Sequence, residues 1–250
     1  MNKINNSCSV CETKNCFIQK LSPEWLSWSD SKKFTVNFPA NQNVFWENAE
    51  VNGLHFIKKG KVKVFSSGLN NAEKIVRLAG NGHIIGHRGY TSEKYPVSAT
   101  ALEESVVCFI GNDSLYELFM ANPKFTFSIM MFYSQELRKS EQRAKYNSQM
   151  TSIERIVCVL LYAREAFSSN QTGENAHALK VHLTRSEIAS LADTTAFEVS
   201  RVLTVLEKKK LIQKKGRGII LIREQKLADM IKEYGIYDYS EAQLENEKMP

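Results

Sequence analysis

Short apolar runs separated by glycine-rich or polar turns fill the chain between about Trp25 and Phe119. Alternating or β-branched runs of this length, bounded by Gly and Asn, predict β-strands. The predicted strands cover residues 44–45, 55–57, 62–65, 75–78 and 106–110. Many short strands at this spacing predict a β-barrel or sandwich.

A helical pattern replaces the strand pattern after Pro123. Seam residues recur there at steps of three and four, namely Ile129, Tyr133, Leu137, Ser140, Ala144, Asn147 and Thr151. This period predicts a long helix, a hinge at residues 149–151 and a second helix over residues 153–167. The seam could pack against its own domain, but its polar half, residues 136–148, extends past anything the strand domain could cover. A partner helix, and hence a homodimer, is favoured.

Two helix-start signals lie close together nearer the C-terminus. Thr184 is followed three residues later by Glu187, which is a capping box, and the signal recurs at Thr195 and Glu198. The second helix must therefore begin almost where the first ends, as in a helix-turn-helix. Its apolar side, at about 100° per residue, is predicted to be buried. That side carries Val199, Val202, Leu203 and Leu206.

The outward side of this second helix carries side chains that can read bases. Arg201 is the first candidate, because a guanidinium can fork onto guanine O6 and N7. Glu198 could accept from cytosine N4 or could only complete the helix cap. Phe197 could touch a thymine methyl, and Ser200 and Thr204 could contact bases or phosphates.

A basic hairpin follows the second helix. Residues 214–218 lead into the apolar run 219–222, which predicts strand, glycine turn and strand, the wing of a winged helix. A run of charges is commonly only a solvated surface. Coupled to two capped helices, it predicts contacts with the phosphates of double-stranded DNA. The phosphate candidates are Thr184, Thr195, Lys208, Lys214, Lys215 and Arg217.

Composition narrows the class of protein. The chain has 250 residues, 43% hydrophobic and 24% charged, which is ordinary globular composition. Its net charge of +6 is concentrated in residues 201–226, which indicates a polyanionic partner. Without a long apolar run or an apolar stretch in residues 1–16, we expect no membrane segment and a cytoplasmic protein. We also expect no enzyme, since the usual catalytic motifs are missing.

These elements, in this order, resemble the Crp/Fnr family of bacterial transcription regulators. The resemblance is carried by residues 56–64, 82–86 and 184–212, and the last of these, which contains Val-Ser-Arg-Val-Leu at 199–203, is the most specific. It implies an α+β fold and a double-stranded DNA target that contains an inverted repeat. It also implies RNA polymerase as a partner. The implied parts are an N-terminal cysteine arm (1–20), a cyclic-nucleotide-binding-like β-roll (21–121), a dimerisation helix (122–150), a winged helix-turn-helix (151–232) and a C-terminal tail (233–250).

The resemblance also bears on the effector. Members that bind cyclic nucleotides carry Gly-Glu-Leu and Arg-Ser/Thr-Ala, where this chain has Gly86-His87-Arg88 and Val97-Ser98-Ala99. Losing the acid and the cation removes charge-assisted hydrogen bonds of about 1.5–3 kcal/mol each, so cyclic AMP is not expected. A different organic effector near Gly86, His87 and Arg88 stays open. His83 and His87 flank a glycine turn and are predicted to be surface histidines.

Four cysteines offer another sensor. Cys8, Cys11 and Cys16 on the arm, with Cys108 in a predicted strand, resemble the oxygen-sensing branch of the family, which holds a four-iron, four-sulfur cluster on such a set. Four thiolates suit iron–sulfur or zinc, and unligated thiols are the third possibility. The arm has one residue fewer between its second and third cysteines than that branch.

The recognition helix also departs from the pattern of that branch. Phe197 stands where the branch has glutamate, so the preferred DNA sequence could differ. A regulatory subunit that does not touch DNA is a further alternative.

Overall fold

The computed structural model describes residues 7–13, 15–68, 72–89, 93–167, 178–179, 183–216 and 218–235. The chain forms two compact units. The first comprises Met1–Ser134 and Glu165–Gly173, and the second comprises Gln135–Arg164 and Glu174–Pro250. In the described part of the chain, no helix has the length and apolar character needed to cross a membrane.

Two four-stranded antiparallel sheets form the β-roll of the first unit. Their orders are β1-β8-β3-β6 and β2-β7-β4-β5. All five predicted strands are confirmed, and β1, β6 and β7 are additional. The strands are β1 Phe34–Phe38, β2 Asn43–Phe45, β3 Gly53–Lys59, β4 Val62–Ser67, β5 Glu73–Ala79, β6 Ile84–Ile85, β7 Ser98–Ala101 and β8 Ser105–Gly111.

Strand β3 separates two apolar cores. Leu54 and Phe56 pack on one side of it with the N-terminal arm and helices, whereas Ile57 packs between the two sheets. Successive side chains of a strand point to opposite faces, so a strand covered on both faces is apolar throughout. The arm that carries the cysteines is therefore held on the outer face of this sheet, against β3.

Helices flank the roll in sequence. The arm contains 3-10 turns at Cys8–Val10 and Phe17–Lys20, followed by α1 (Pro23–Lys32), and α2 (Asn112–Ala121) directly follows β8. Neither α1 nor α2 was expected from the pattern of short strands. The long helix α3 (Pro123–Asn147) and α4 (Ser152–Phe167) confirm the predicted pair of helices and the hinge between them.

The seam predicted on α3 is only partly exposed. Ile129 is 6% exposed and belongs to the core of the first unit, so this part of the seam packs against its own domain, the alternative that the sequence left open. Leu137, two turns further on, is 61% exposed. The first part of the helix thus packs against its own domain through Ile129. The exposed apolar side chains of the helix are at other positions, such as Leu137.

The second unit contains the predicted winged helix-turn-helix, and with the roll it confirms the α+β fold. Strand β9 (Ala178–Leu179) adds to the hairpin in the order β10-β11-β9, so the wing sheet has a third strand that the sequence did not indicate. Residues 168–177, and residues 236–250 of the predicted tail, lie outside the described residues. The other elements are α5 Arg185–Leu191, α6 Ala196–Lys208, β10 Ile212–Lys215, β11 Gly218–Leu221 and α7 Glu224–Asp229.

Candidate DNA-binding surface and cysteine site

Helix α5 begins with the predicted capping box. The Thr184 hydroxyl accepts a hydrogen bond from the Glu187 amide at 3.1 Å, and the Glu187 carboxylate accepts one from the Thr184 amide at 2.8 Å. The Thr195 hydroxyl accepts from the Glu198 amide at 3.2 Å and starts α6. Between the helices Asp193 adopts a left-handed conformation with φ 48°, which lets the chain turn within four residues.

The two faces of α6 are as predicted. Val199, Val202, Leu203 and Leu206 are buried. Phe197 is 80% exposed, although burying its ring would be favourable, and it begins an outward ridge. The remaining residues of this ridge are also exposed, namely Ser200, Arg201, Thr204 and Lys208. The ridge is confirmed as a surface, and its contact with DNA remains a prediction.

Glu198 binds Arg201. The arginine donates from Nε to Oε2 at 2.8 Å and from Nη2 to Oε1 at 2.6 Å. These hydrogen bonds lower the pKa of Glu198 and keep it charged. The prediction that Glu198 completes a capping box is wrong, because its carboxylate turns to the guanidinium one turn along the helix. The hydroxyls of Ser200 and Thr204 donate to the backbone carbonyls of Ala196 and Ser200 at 2.9 and 3.0 Å.

The wing is tied to the end of α6. Glu207 accepts from the Lys214 amide at 3.0 Å and from its ammonium at 2.7 Å, so one predicted phosphate contact already has an anionic partner. Lys208 and Lys215 are exposed. Of the remaining phosphate candidates, Thr184 and Thr195 are exposed at the starts of the two helices, and Arg217 lies outside the described residues.

Arg155 on α4 connects three parts of the second unit, which the sequence did not indicate. Its guanidinium donates to the carbonyls of Ala192 at 2.9 Å, Met150 at 2.8 Å and Asn147 at 3.3 Å. It thereby joins the end of α3, the hinge and the turn between α5 and α6. An arginine on an amphipathic helix is by default a surface residue, so only the fold reveals this role.

The four predicted cysteine ligands line one cavity in the first unit. Cys8 and Cys11 lie on and just after the first 3-10 turn, Cys16 precedes the second, and Cys108 lies on β8 opposite Thr35. Lys33 and Lys58 line the same cavity, with Ile18, Phe56 and Ile110 among its apolar walls. Within the described residues, no three His, Cys, Asp or Glu side chains form a group tight enough to bind one metal ion.

Burial sets the protonation of these thiols. It raises the pKa of Cys8 to about 11 and that of Cys16 to about 12, and it raises the pKa of Cys108 as well. The thiols of Cys8, Cys16 and Cys108 are therefore neutral near pH 7 until a metal ion displaces their protons. Four thiols with cations beside them are the donor set that iron–sulfur clusters and zinc take, so the residues fit either group.

The predicted effector position is filled by side chains. His87 is 5% exposed, so the prediction of a surface histidine is wrong. Its ring lies 5.0 Å from that of Phe132, and its carbonyl accepts from the Tyr133 hydroxyl at 2.7 Å, because α3 covers the glycine turn. Burial and the charges of Arg77 and Arg88 lower the pKa of His87 to about 2. Gly86, with φ 83°, makes the turn.

Two family models match the chain. A cyclic nucleotide-binding domain matches residues 35–122, and a Crp-like helix-turn-helix domain matches residues 154–230. The chain is 30% identical over 166 residues to transcriptional activator protein anr of Pseudomonas aeruginosa, covering 66% of this chain and 67% of that protein. It is 26% identical over 189 residues to the fumarate and nitrate reduction regulatory protein of Vibrio cholerae, covering 76% and 75%. The solved structure of FixK2 from Bradyrhizobium japonicum shares the fold, with TM-score 0.69, 18% identity and coverage of 79% and 96%.

Proposed function

Since this chain belongs to the Crp/Fnr family of bacterial transcription regulators, we propose that it is a homodimeric, sequence-specific regulator that senses a redox or oxygen-type signal through its cysteines. The observation that carries the sensing proposal is the single cavity lined by Cys8, Cys11, Cys16 and Cys108. The Vibrio cholerae relative is named for fumarate and nitrate reduction, which agrees with a redox signal. The protein is proposed to act in the cytoplasm, where a regulator meets DNA and thiols stay reduced.

The ridge on α6 is proposed to enter the major groove. Arg201, Ser200, Phe197 and Thr204 would face base edges, while the hydroxyls at the helix starts and the exposed lysines would contact phosphates. Glu198 would act by orienting Arg201. A two-fold symmetric dimer would read an inverted repeat with half-sites about 34–36 Å apart.

Footprinting and salt titration test the DNA proposal. Each neutralised phosphate releases counterions, so about 6–10 contacts should reduce affinity by about 10³–10⁵ between 50 and 200 mM salt. The expected footprint is a symmetric pair of half-sites. An asymmetric single half-site, or affinity that does not change with salt, contradicts the proposal.

The dimer proposal draws on the exposed apolar side chains of α3. Phe127 is 58% exposed, Met130 56% and Leu137 61%. Steps of three and seven residues put these side chains on one helix face, as in a helix pair. Such a face is stabilised by a second copy of the same helix. RNA polymerase is proposed as a further partner because the relatives include transcriptional activators.

The cysteine site is proposed to hold a four-iron, four-sulfur cluster, bound by Cys8, Cys11, Cys16 and Cys108. A bound cluster would supply chemistry that responds to oxygen or to redox state. Apolar side chains line much of the cavity, and a lysine beside Cys8 supplies positive charge. Cyclic AMP stays unexpected, since Val97 is buried and apolar where the arginine of nucleotide-binding members stands.

Purification without oxygen tests the metal proposal. We expect brown protein with absorbance near 400 nm, stoichiometric iron and sulfide, and loss of colour in air. Zinc in place of iron would support a four-cysteine metal site but contradict the proposal that this site senses an oxygen-type signal. Colourless protein without metal overturns the cysteine sensor altogether.

An organic effector in the β-roll is the second candidate, and one observation favours it. A groove of about 390 Å³ lies in the first unit, within the size range of small-molecule sites, about 300–1,000 Å³. It lies beside Gly86, because both His55 and Tyr95 line it and also approach that glycine. His87 does not line it. The walls are mostly aromatic and apolar, including Phe34, Val36, Phe38, Phe45, Trp46, Val107 and Phe109.

A further inference from the structure

The side chain of Lys33 is buried beside a cysteine of the proposed sensor. The residue follows α1, and its side chain is 4% exposed. Its ammonium donates to Cys8 Sγ at 2.8 Å and to the Asp30 carboxylate. A buried ammonium is costly unless it is paired. Lys33 therefore links a carboxylate to a sulfur at the wall of the cysteine cavity.

Asp30 holds both Lys33 and the arm. Its carboxylate accepts from the Ser7 hydroxyl at 2.6 Å, from the Cys8 amide at 2.8 Å and from Lys33. Burial alone would raise the pKa of Asp30, but these hydrogen bonds lower it to about 2. The charged carboxylate thus attaches the Cys8 turn to α1 and orients the lysine.

We propose that Lys33 is a positioning residue of the cysteine site, which donates a hydrogen bond to the Cys8 sulfur and offsets the negative charge of four metal-bound thiolates. The inference rests on the proposed function. Four thiolates give such a site a negative charge, which a neighbouring cation stabilises. Hydrogen bonds to cluster sulfurs also raise the reduction potential, and groups behind the ligands commonly control metal affinity.

Two variants separate charge from packing. Lys33→Met removes the cation and the donor but keeps an unbranched chain, whereas Lys33→Arg keeps both. After anaerobic reconstitution, Lys33→Met should lose iron at about 10–100-fold lower chelator concentration than the wild type. Lys33→Arg should lie much closer to the wild type. The matched control is Lys63→Met, which removes a lysine paired with Glu73 at 2.7 Å on the same roll and should change nothing.

The reduction potential gives a measurement that packing alone would not move. In Lys33→Met the equilibrium constant for one-electron reduction of the reconstituted cluster should fall about tenfold, which is about 59 mV towards negative potential. Lys33→Arg should keep the wild-type potential. The thermal unfolding of each metal-free variant shows whether its fold is intact.

The outcomes distinguish two failures. Wild-type protein that holds no iron overturns the proposed sensing function and this inference with it. If the wild type binds the cluster and Lys33→Met has the same iron loss and the same reduction potential, the inference about Lys33 is overturned but the proposed function is not. Equal iron loss in Lys33→Met and Lys33→Arg with unchanged potentials also overturns it. That result would mean that the packing of the side chain, and not its charge or its hydrogen bond, stabilises the site.

Discussion

Arg201 can keep its ion pair with Glu198 and still read a base. A guanidinium has five N–H donors. Glu198 takes one on Nε and one on Nη2, which leaves the outer edge formed by Nη1 and Nη2. That edge can fork onto guanine O6 and N7. The carboxylate therefore orients the arginine, and the conformational cost of binding is reduced before DNA arrives.

Substitutions of Arg201 and Lys215 should have different effects. Arg201→Ala should reduce discrimination at one base pair by about 1–3 kcal/mol, whereas Lys215→Ala should weaken binding to every sequence alike. Binding isotherms on an operator and its single-base variants measure both effects. If the two variants lose equal affinity on every sequence, Arg201 contacts phosphate.

Buried histidines should make the β-roll sensitive to acid. Burial lowers the pKa of His55 to about 4, and that of His87 falls to about 2. Unfolded histidine titrates near pH 6.5, so below that pH the unfolded chain binds more protons. The stability that the two neutral histidines contribute is therefore fully present above about pH 6.5. As the pH falls below this value, the free energy of unfolding declines by at most about 1.4 kcal/mol per pH unit for each histidine.

Denaturant unfolding at pH 7, 6 and 5 checks this dependence. His55→Phe keeps an aromatic ring against Phe45 and Phe109 and should lower the slope between pH 6 and 5 by about 1 kcal/mol per pH unit. An unchanged slope in this variant would show that His55 is protonated in the folded protein.

At the scale of elements, the capping box of α5 determines where the helix-turn-helix begins. Thr184→Ala removes the hydroxyl that satisfies the Glu187 amide and should lower the free energy of unfolding of the second unit by about 1 kcal/mol, within 0.5–2. Thr204→Ala is the matched control, because that hydroxyl lies mid-helix and donates only to the Ser200 carbonyl. Equal losses of unfolding free energy in the two variants would mean that the cap hydroxyl stabilises the unit no more than a mid-helix hydroxyl does.

Elements with strong periodicity were predictable, and elements defined by their neighbours were not. The long apolar period of α3, α4 and α6 identified them, but β7 contains only Ser98–Ala101 and is buried because β2 and β4 pair with it on both sides. Helix α2 begins directly after β8, and Gly111 is both the last residue of the strand and the N-cap of the helix. Helix α1 carried a usable signal, Ser22 before Pro23 at its first position.

The same distinction applies to the sites. The ridge of α6 followed from one helical period, so Arg201 could be identified from the sequence. The burial of His87 depends on Phe132 and Tyr133, far along the chain. Lys33 reaches Cys8 across the arm and α1, and no local pattern pairs these residues. Contacts between distant segments therefore limited what the sequence could reveal.

At the scale of the whole molecule, DNA affinity should depend on α3. A dimer would bury Leu137 of both copies, each worth about 1.5–3 kcal/mol. Leu137→Glu would place two carboxylates at that interface and should weaken dimerisation at least tenfold in sedimentation equilibrium. Gln135→Glu adds the same charge on another side of the helix and should remain dimeric.

The DNA measurement links this surface to function. For Leu137→Glu, affinity for an inverted repeat should fall to that for a single half-site, because each winged helix would then bind alone. A Leu137→Glu protein that stays dimeric and keeps its preference for the repeat would place the dimer interface elsewhere. Tyr116 and Met120 on α2, which are 64% and 69% exposed, would then be the next surface to substitute.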